Sequence, residues 1–568
     1  MARAAGALAA LLIVAAGCTG GPEDPVPDDA STIPEMLRAL GADPVRQLAR
    51  GYVPERSGDV VLVPAPGSTV AQWPGGLRST TDPRTTHGAP WDYIARVPII
   101  LRGPGHVPAG AVPDRPVDVA DIAPTIADLL AFDWEAPDAR SLEEALLPDR
   151  DPPRVITLVV HDGGGWNVLE RWPEAWPFQR GLAAEGTTFG NATVGSAPPI
   201  TAPIHANMGT GTYPRTHGIA ENTGRLPDGS LGELFFHEAD PRLMEAETVA
   251  DAWDVAQGNE AWVGLVGYEA WHLGMMSRGT RHPGGDRDVA VLWDHRETDD
   301  LFTNEEVYRM PEYLRGREAL EERVHELDLA DGAADRRWMQ ADLDDIFFIP
   351  ATPAFVEYQT DLVLEMIERE GIGTDDVTDL LFVELKPSDN AGHLWNMESP
   401  MFEEVLRAQD RAVERIVGAL DERVGPDRHV VIVSADHGQS PRPDVVEGLR
   451  IDRFRVQEAL NDAFGAEVVE AVHPDDLYLR WDVLGEIGAT AEDVARAAAS
   501  LRFDQVAPQG TDLEALSEEL AAARPFAAAI PVRRLVGLSE EEVAALGAGA
   551  FPEADLTSPP DLARLLRR

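Results

Sequence analysis

Six short, continuously apolar runs constrain this chain more than anything else in it. They are "DVVLVP" (59–64), "RVPIIL" (96–101), "VITLVV" (155–160), "WVGLVG" (262–267), "DLLFVEL" (379–385) and "HVVIVS" (429–434). A strand that is apolar on both faces has to be covered on both. Amphipathic stretches such as "MFEEVLRAQDRAVERIVGALDERV" (401–424) supply the helices that do so. The pattern predicts an α/β fold with a mostly parallel central sheet and helices on both faces. The acidic stretch from about 286 to 345 and the Ala/Glu-rich stretch from about 486 to 568 lack this rhythm and read as cap or peripheral material. A chain of 568 residues exceeds one simple core, so a large domain with an insertion, or two domains, is expected.

The residues just past these runs carry chemistry. "VITLVV" leads to His161 and Asp162, "DLLFVEL" to Asp389 and His393, and "HVVIVS" to Asp436 and His437. Ligands in open α/β sheets bind outside the carboxyl ends of the strands. Three strands therefore deliver carboxylates and imidazoles to one rim, the ligand set of a divalent metal. An Asp after a strand is ordinarily a turn former, and a single His is ordinarily structural; three such pairs in this context argue for a site. A fourth piece, "GSAPPITAPIHANMGTGTYPRTHGIAEN" (195–222), breaks at Pro198-Pro199 and places Thr201 where a helix begins. A hydroxyl there is either a helix cap or, beside unpaired N–H groups and the positive dipole end, a group placed for phosphoryl chemistry.

Charge narrows the partners. The 98 acidic residues against 48 basic ones leave a net charge of -50, which argues against general gripping of nucleic acid or anionic lipid. The opening "MARAAGALAALLIVAAGC" has a basic start, a short apolar run and small residues before Cys18, the single cysteine. It reads as a signal peptide too short to span a membrane. "AAGC" resembles a bacterial lipobox, so Cys18 is expected to carry lipid and anchor an exported protein to the outer face of the cell membrane. The polar, Pro- and Asp-rich residues that follow suit a flexible tether.

Taken in order, Asp162-Gly, Thr201-Ala-Pro-Ile-His, "GTGTYPRTHGI", Asn222, Asp389-Asn-Ala-Gly-His393 and Ala-Asp436-His437-Gly resemble the alkaline phosphatase superfamily. The resemblance is to its type I phosphodiesterase/nucleotide pyrophosphatase branch and to the threonine-nucleophile alkaline phosphatases, over about residues 155 to 440. It implies an alkaline-phosphatase-like fold with a smaller α+β cap. It also implies two divalent metal ions of zinc type, one held by Asp162, Thr201, Asp436 and His437, the other by Asp389, His393 and one further histidine. Thr201 is the implied nucleophile, and Asn222 the implied phosphate contact. The family's last histidine lies in a His-Gly segment after the Asp-His-Gly motif. Here only His473 follows, with no glycine after it and leading into a strand, whereas "TTHGAPWDYIARVPIILRGPG" (85–105) matches that segment. His87 is therefore assigned as the ligand and the chain is read as circularly permuted. On this reading 1–18 is the signal, 19–35 the tether, 36–150 the permuted C-terminal part of the core, 151–240 the core with the nucleophile, 241–350 a cap insertion, 351–445 the core with the metal motifs, and 446–568 cap or peripheral.

The ester class turns on what neutralises the phosphoryl oxygens. The monoesterases resembled use a Lys-x-Arg pair in the cap, but "VGLVGYEAWHLGMMSRG" (263–279) has Tyr268, Trp271 and His272 there, and Lys386 is the only lysine. That favours a phosphodiesterase or nucleotide pyrophosphatase acting on a small-molecule phosphate ester, with Tyr268, Trp271 and His272 as candidate substrate contacts. The alternatives are an alkaline phosphomonoesterase using cap arginines such as Arg278 or Arg281 and, from another class, a non-catalytic zinc-binding surface lipoprotein.

Overall fold

The computed structural model describes residues 32–70, 84–473 and 475–550; Cys18 and the residues around it, and the segment 551–568, lie outside them. An eight-stranded sheet and a four-stranded sheet carry the architecture. In chain order their strands are β1 (Val60–Pro64), β2 (Ile99–Arg102), β3 (Val155–His161), β4 (Thr187–Phe189), β5 (Val263–Val266) and β6 (Val289–Asp294). There follow β7 (Asp300–Phe302), β8 (Asp379–Leu385), β9 (His429–Ala435), β10 (Val469–His473), β11 (Asp476–Leu479) and β12 (Phe526–Pro531).

The large sheet runs β7-β6-β5-β8-β3-β9-β2-β4. Strands β6, β5, β8, β3 and β9 are mutually parallel, with antiparallel pairings at both edges. Strands β3, β8 and β9 are buried at every position, which is why their sequences carry no alternation. Their side chains divide between two cores. Ile156, Leu158 and Val160 face the helix α1 (Thr201–Thr210) with Ile204 and Met208. Val155 and Val159 face the other side, covered by α2 (Pro353–Arg369) and, after the short α3 (Pro387–Trp395), by the long α4 (Pro400–Val424). Each fully buried aliphatic side chain contributes about 1.5–3 kcal/mol, so this double-sided burial holds the sheet rigid beneath the site.

The small sheet, β10-β11-β1-β12, is antiparallel throughout. It shares a core with helices that include Ile33–Leu40, α5 (Arg453–Phe464) and Ala491–Ser500. The Ala42 N–H donates to Gly547 O at 2.9 Å and the Ala550 N–H to Ala39 O at 2.7 Å, so 39–42 and 547–550 adjoin. Among the described residues, no helix is long and apolar enough to cross a membrane.

Two expectations are corrected. Val60–Pro64 pairs in the antiparallel sheet, because a continuous apolar run reports burial on both faces and not the direction of its neighbours. Val289–Asp294, assigned to cap material from its acidic surroundings, is a wholly buried parallel strand of the large sheet; β5 and β7, inside the expected cap insertion, join it there. His473 leads into a strand, β11, as expected, but it also closes one, β10, which pairs antiparallel with β11.

Candidate active site

Register assembles the site. His161, the last residue of β3, pairs with both Leu385 of β8 and Ala435 of β9. The three strands thus end level, and Asp162, Asp389 and Asp436 all lie just beyond them. Gly163 turns the chain away with φ +70°, and a Cβ there would stand 2.0 Å from Gln439 Nε2 and 3.2 Å from the Asp389 Cα; a side chain would strain the backbone and displace Gln439. Its N–H donates to Asp436 Oδ1 at 3.0 Å. Asp389 and His393 sit one turn apart on α3, on the same face.

Two groups of donors result, each drawn within 4.8 Å: Asp162, Asp436 and His437, and Asp389, His393 and His87. All three imidazoles are anchored the same way. His87 Nδ1 lies 2.9 Å from Pro199 O, His393 Nδ1 2.9 Å from Thr85 O, and His437 Nδ1 3.0 Å from Gly438 O. A carbonyl only accepts, so each Nδ1 carries the hydrogen and, in the neutral ring, each Nε2 presents a lone pair; against burial, the Asp436 and Asp162 carboxylates push His437 up to about 9, so there a cation takes the place of a proton. Those lone pairs face carboxylates: His87 at 3.4 Å and His393 at 3.3 Å from Asp389, and His437 at 3.3 Å from both Asp162 and Asp436. Asp162 Oδ1, Asp436 Oδ2 and His437 Nε2 are buried without a hydrogen-bond partner. In the first group the converging atoms have no hydrogen-bond partner and fit a divalent cation; in the second Asp389 also accepts from Lys386 at 2.7 Å and from Gln439 at 3.3 Å, and in both, backbone carbonyls are the outer supports that orient each ring. His87 also stacks on His437 at 3.6 Å between ring centroids, joining the two groups.

The electrostatics agree with that fit. Burial, and then the charge of Asp162, push Asp436 up to about 8. Burial is the largest single influence on Asp162 and raises it, but the Lys386 ammonium together with the His272 and His437 rings outweighs it and holds that carboxyl well below the usual range. So many carboxylates in one buried place demand positive charge.

Thr201 opens α1 as its first helical residue, with Ile200 at the cap position. Its hydroxyl lies 3.5 Å from Asp162 Oδ2. Asn222 Oδ1 accepts the Ala202 N–H at 2.9 Å, which leaves its amide N–H₂ for the cavity. That cavity, about 630 Å³, is lined by His87, Thr201, Asn222, Tyr268, Trp271, Lys386, Asp389 and His393 among others. Tyr268 is nearly buried and stacks on His295 at 5.3 Å, while the Arg296 guanidinium lies over Trp271 at 5.8 Å.

His272 does not line the cavity. It is wholly buried, and its Nδ1 accepts the N–H groups of Tyr268 and Glu269 at 3.3 and 3.0 Å. It therefore turns an Nε2–H, not a lone pair, on Asp162 Oδ2 at 3.3 Å. It positions that carboxylate, although it groups with Asp162 and Glu384 by distance. Arg278 and Arg281 are committed to Asp251 and Asp240, at 3.0 and 2.5 Å.

Sequence reasoning missed three features. Lys386, dismissed as outside the cap, spans both groups at 2.9 Å from Asp162 and 2.7 Å from Asp389. Its place just past "DLLFVEL" and three residues before Asp389 was the available signal. Phe347 lines the mouth and is 55% exposed, an aromatic hidden within acidic "DDIFFIP". Arg453 and His473 reach the same cavity from the small-sheet side, and no sequence signal ties them to it.

A family model described as type I phosphodiesterase / nucleotide pyrophosphatase matches residues 156–538. A calcium-transporting ATPase of Myroides odoratus is 23% identical over 410 residues, 62% of this chain and 73% of that protein. The alkaline phosphatase PafA of Elizabethkingia meningoseptica is 22% identical over 398 residues, 60% of this chain and 72% of its own. A crystal structure of wild-type PafA aligns with 66% of this chain and 84% of that one, at 17% identity and a TM-score of 0.48.

Proposed function

This chain belongs to the type I phosphodiesterase / nucleotide pyrophosphatase family, and from that premise we propose a hydrolase that cleaves phosphoric diesters through Thr201 with two divalent cations. The observation that carries the proposal is the shared anchoring of His87, His393 and His437, whose Nε2 lone pairs meet three aspartates beside a helix-opening threonine. Asp162, Asp436, His437 and Thr201 would hold one cation and Asp389, His393 and His87 the other. The donor set is that of zinc. Bound there, the cations supply Lewis acidity and neutralise charge on the reacting oxygens.

The chain's own residues do the rest. Asp162 Oδ2 orients the Thr201 hydroxyl; the hydroxyl gives up its proton to solvent, its oxygen bonds to phosphorus as the ester P–O bond breaks, and the leaving oxygen keeps the bonding pair and takes a proton from water to depart as the alcohol. Water then cleaves the phosphothreonine from the side of Asp389, His393 and His87. The Asn222 amide donates to a non-bridging oxygen as its charge builds. The N-terminus of α1 faces the same charge.

Diester preference is supported by the pairing of Arg278 and Arg281 with carboxylates, away from the cavity. Lys386 in the cavity wall supports the second reading, a phosphomonoesterase, because it adds a cation beside the reacting end, although it is paired there with Asp162 and Asp389. The deciding experiment compares kcat/KM of zinc-loaded protein on bis(4-nitrophenyl) phosphate and 4-nitrophenyl phosphate, with Thr201→Ala as control. Diester preference abolished in the variant supports the first reading, and monoester preference the second. Turnover that survives Thr201→Ala sinks both.

Circular permutation belongs to the same proposal. The matched residues begin at 156, yet His87 joins the second donor group and β2 enters the large sheet beside β9. Export with a lipid on Cys18 completes it, tested by mass spectrometry of the processed N-terminus.

A further inference from the structure

The carboxylates lining the cavity are balanced within their own surroundings. Asp389 pairs with Lys386 at 2.7 Å. Glu233 and Glu269 share Arg296, and Asp299 pairs with Arg317 at 3.5 Å. Glu221, held well above the usual carboxyl range by burial and then by Asp476, shares a hydrogen bond with that residue.

Arg453 is different. Among the described residues no carboxylate lies within ion-pair distance of its guanidinium, and its buried Nε has no hydrogen-bond partner. The adjacent carboxylate, Asp452, is occupied with the N–H groups of Phe454 and Arg455. Arg453 Nη1 instead donates to His473 Nδ1 at 3.4 Å. That leaves the imidazole hydrogen on Nε2. Burial and then the Arg453 charge pull His473 down to about 4, so it is a neutral N–H donor near pH 7. Both residues line the cavity that contains Thr201. One side of the cavity thus offers a guanidinium fork and an imidazole N–H, in a chain otherwise crowded with acid.

We infer that Arg453 and His473 form a second anion subsite, so that the preferred substrate is a phosphoric ester whose far end carries another phosphate or carboxylate. The inference rests on reading the Thr201 end as the reacting end. A guanidinium without a carboxylate suits an anion that offers it two oxygens, as a phosphate or a carboxylate does. A cavity of about 630 Å³ falls in the size range of small-molecule sites and has room for both ends of such a ligand.

Calorimetry on the zinc-loaded full chain tests this with alkanediol bisphosphates of graded length against alkyl monophosphates of the same lengths. At the fitting length the bisphosphate is expected to bind about tenfold more tightly, the scale of one charge-assisted pair. Arg453→Ala brings that ratio toward one, and Arg453→Lys retains part of it, with unfolding midpoints reporting that each variant is folded. A ratio near one at every length in the parent, or a ratio undiminished in folded Arg453→Ala, overturns the subsite. Repeating the titration in Thr201→Ala separates the two readings, because lost turnover with a preserved ratio places the subsite apart from the chemistry.

Discussion

Asn222 offers the sharpest test, because its two amide atoms have separate tasks. Oδ1 accepts the Ala202 N–H at 2.9 Å and ties the segment after "HGIAEN" to the first turn of α1; the N–H₂ faces the cavity that Thr201 lines. Asn222→Ala removes both. Losing the hydrogen bond costs about 0.5–1.5 kcal/mol of stability. Losing a donor aimed at developing charge costs about 2.7–4 kcal/mol of transition-state stabilisation, a fall of about 10²–10³ in kcat. Asn222→Asp separates the tasks: its carboxylate still accepts from Ala202 but turns negative charge on the phosphoryl group. The Asp variant should therefore match the parent in urea midpoint while losing at least as much kcat as the Ala variant. The assay is turnover of bis(4-nitrophenyl) phosphate at saturating zinc, alongside denaturation curves. Parent-like kcat in Asn222→Asp, or an Ala variant that is destabilised yet loses less than about tenfold in rate, would refute the assignment.

Three further outcomes follow from the structure. His87→Ala should lower bound zinc after dialysis from two ions per chain to one, read by elemental analysis; two retained ions would exclude His87 from the second group. With a net charge of -50, kcat/KM for an anionic substrate should rise with salt as long-range repulsion is screened beyond about 8–10 Å; a flat or falling response up to high salt counts against this. Burial, and then the charge of Asp286, push Asp254 up to about 7 from 3.8. The stability it contributes is complete below pH 3.8, where it is protonated in both folded and unfolded chains, and is lost as pH rises through 7. Asp254→Asn should then gain little in melting temperature at pH 4 and most at pH 8; an unchanged or lower midpoint at pH 8 would sink the argument.

The large sheet was legible at most, but not all, of its wholly buried strands. "VITLVV", "DLLFVEL" and "HVVIVS" are read correctly because burial on both faces erases alternation. "VAVLWD" has the same property but was hidden by the acidic residues around it, since averaging over a long window blurs a six-residue signal. The resemblance carried by Thr201, Asp389 and Asp436 agrees with the family match. His272 misled for a different reason. Its neighbours in sequence, Tyr268 and Trp271, do line the cavity, but a 3-10 turn over Ala270–Met275 carries His272 inward, beneath Asp162.

By itself the sequence determined which residues can do chemistry and which strands carry them, because side-chain identity and apolar periodicity are local properties. It also singled out His87 against His473, from a glycine and a following strand. Only the tertiary structure decided what those residues meet. The level strand ends that bring Asp162, Asp389 and Asp436 together, the Nδ1 anchors that turn three lone pairs inward, the reach of Lys386 across both groups and the approach of Arg453 from the small sheet all join residues far apart in the chain. Register and sheet packing set those distances, and no periodicity in the chain records them.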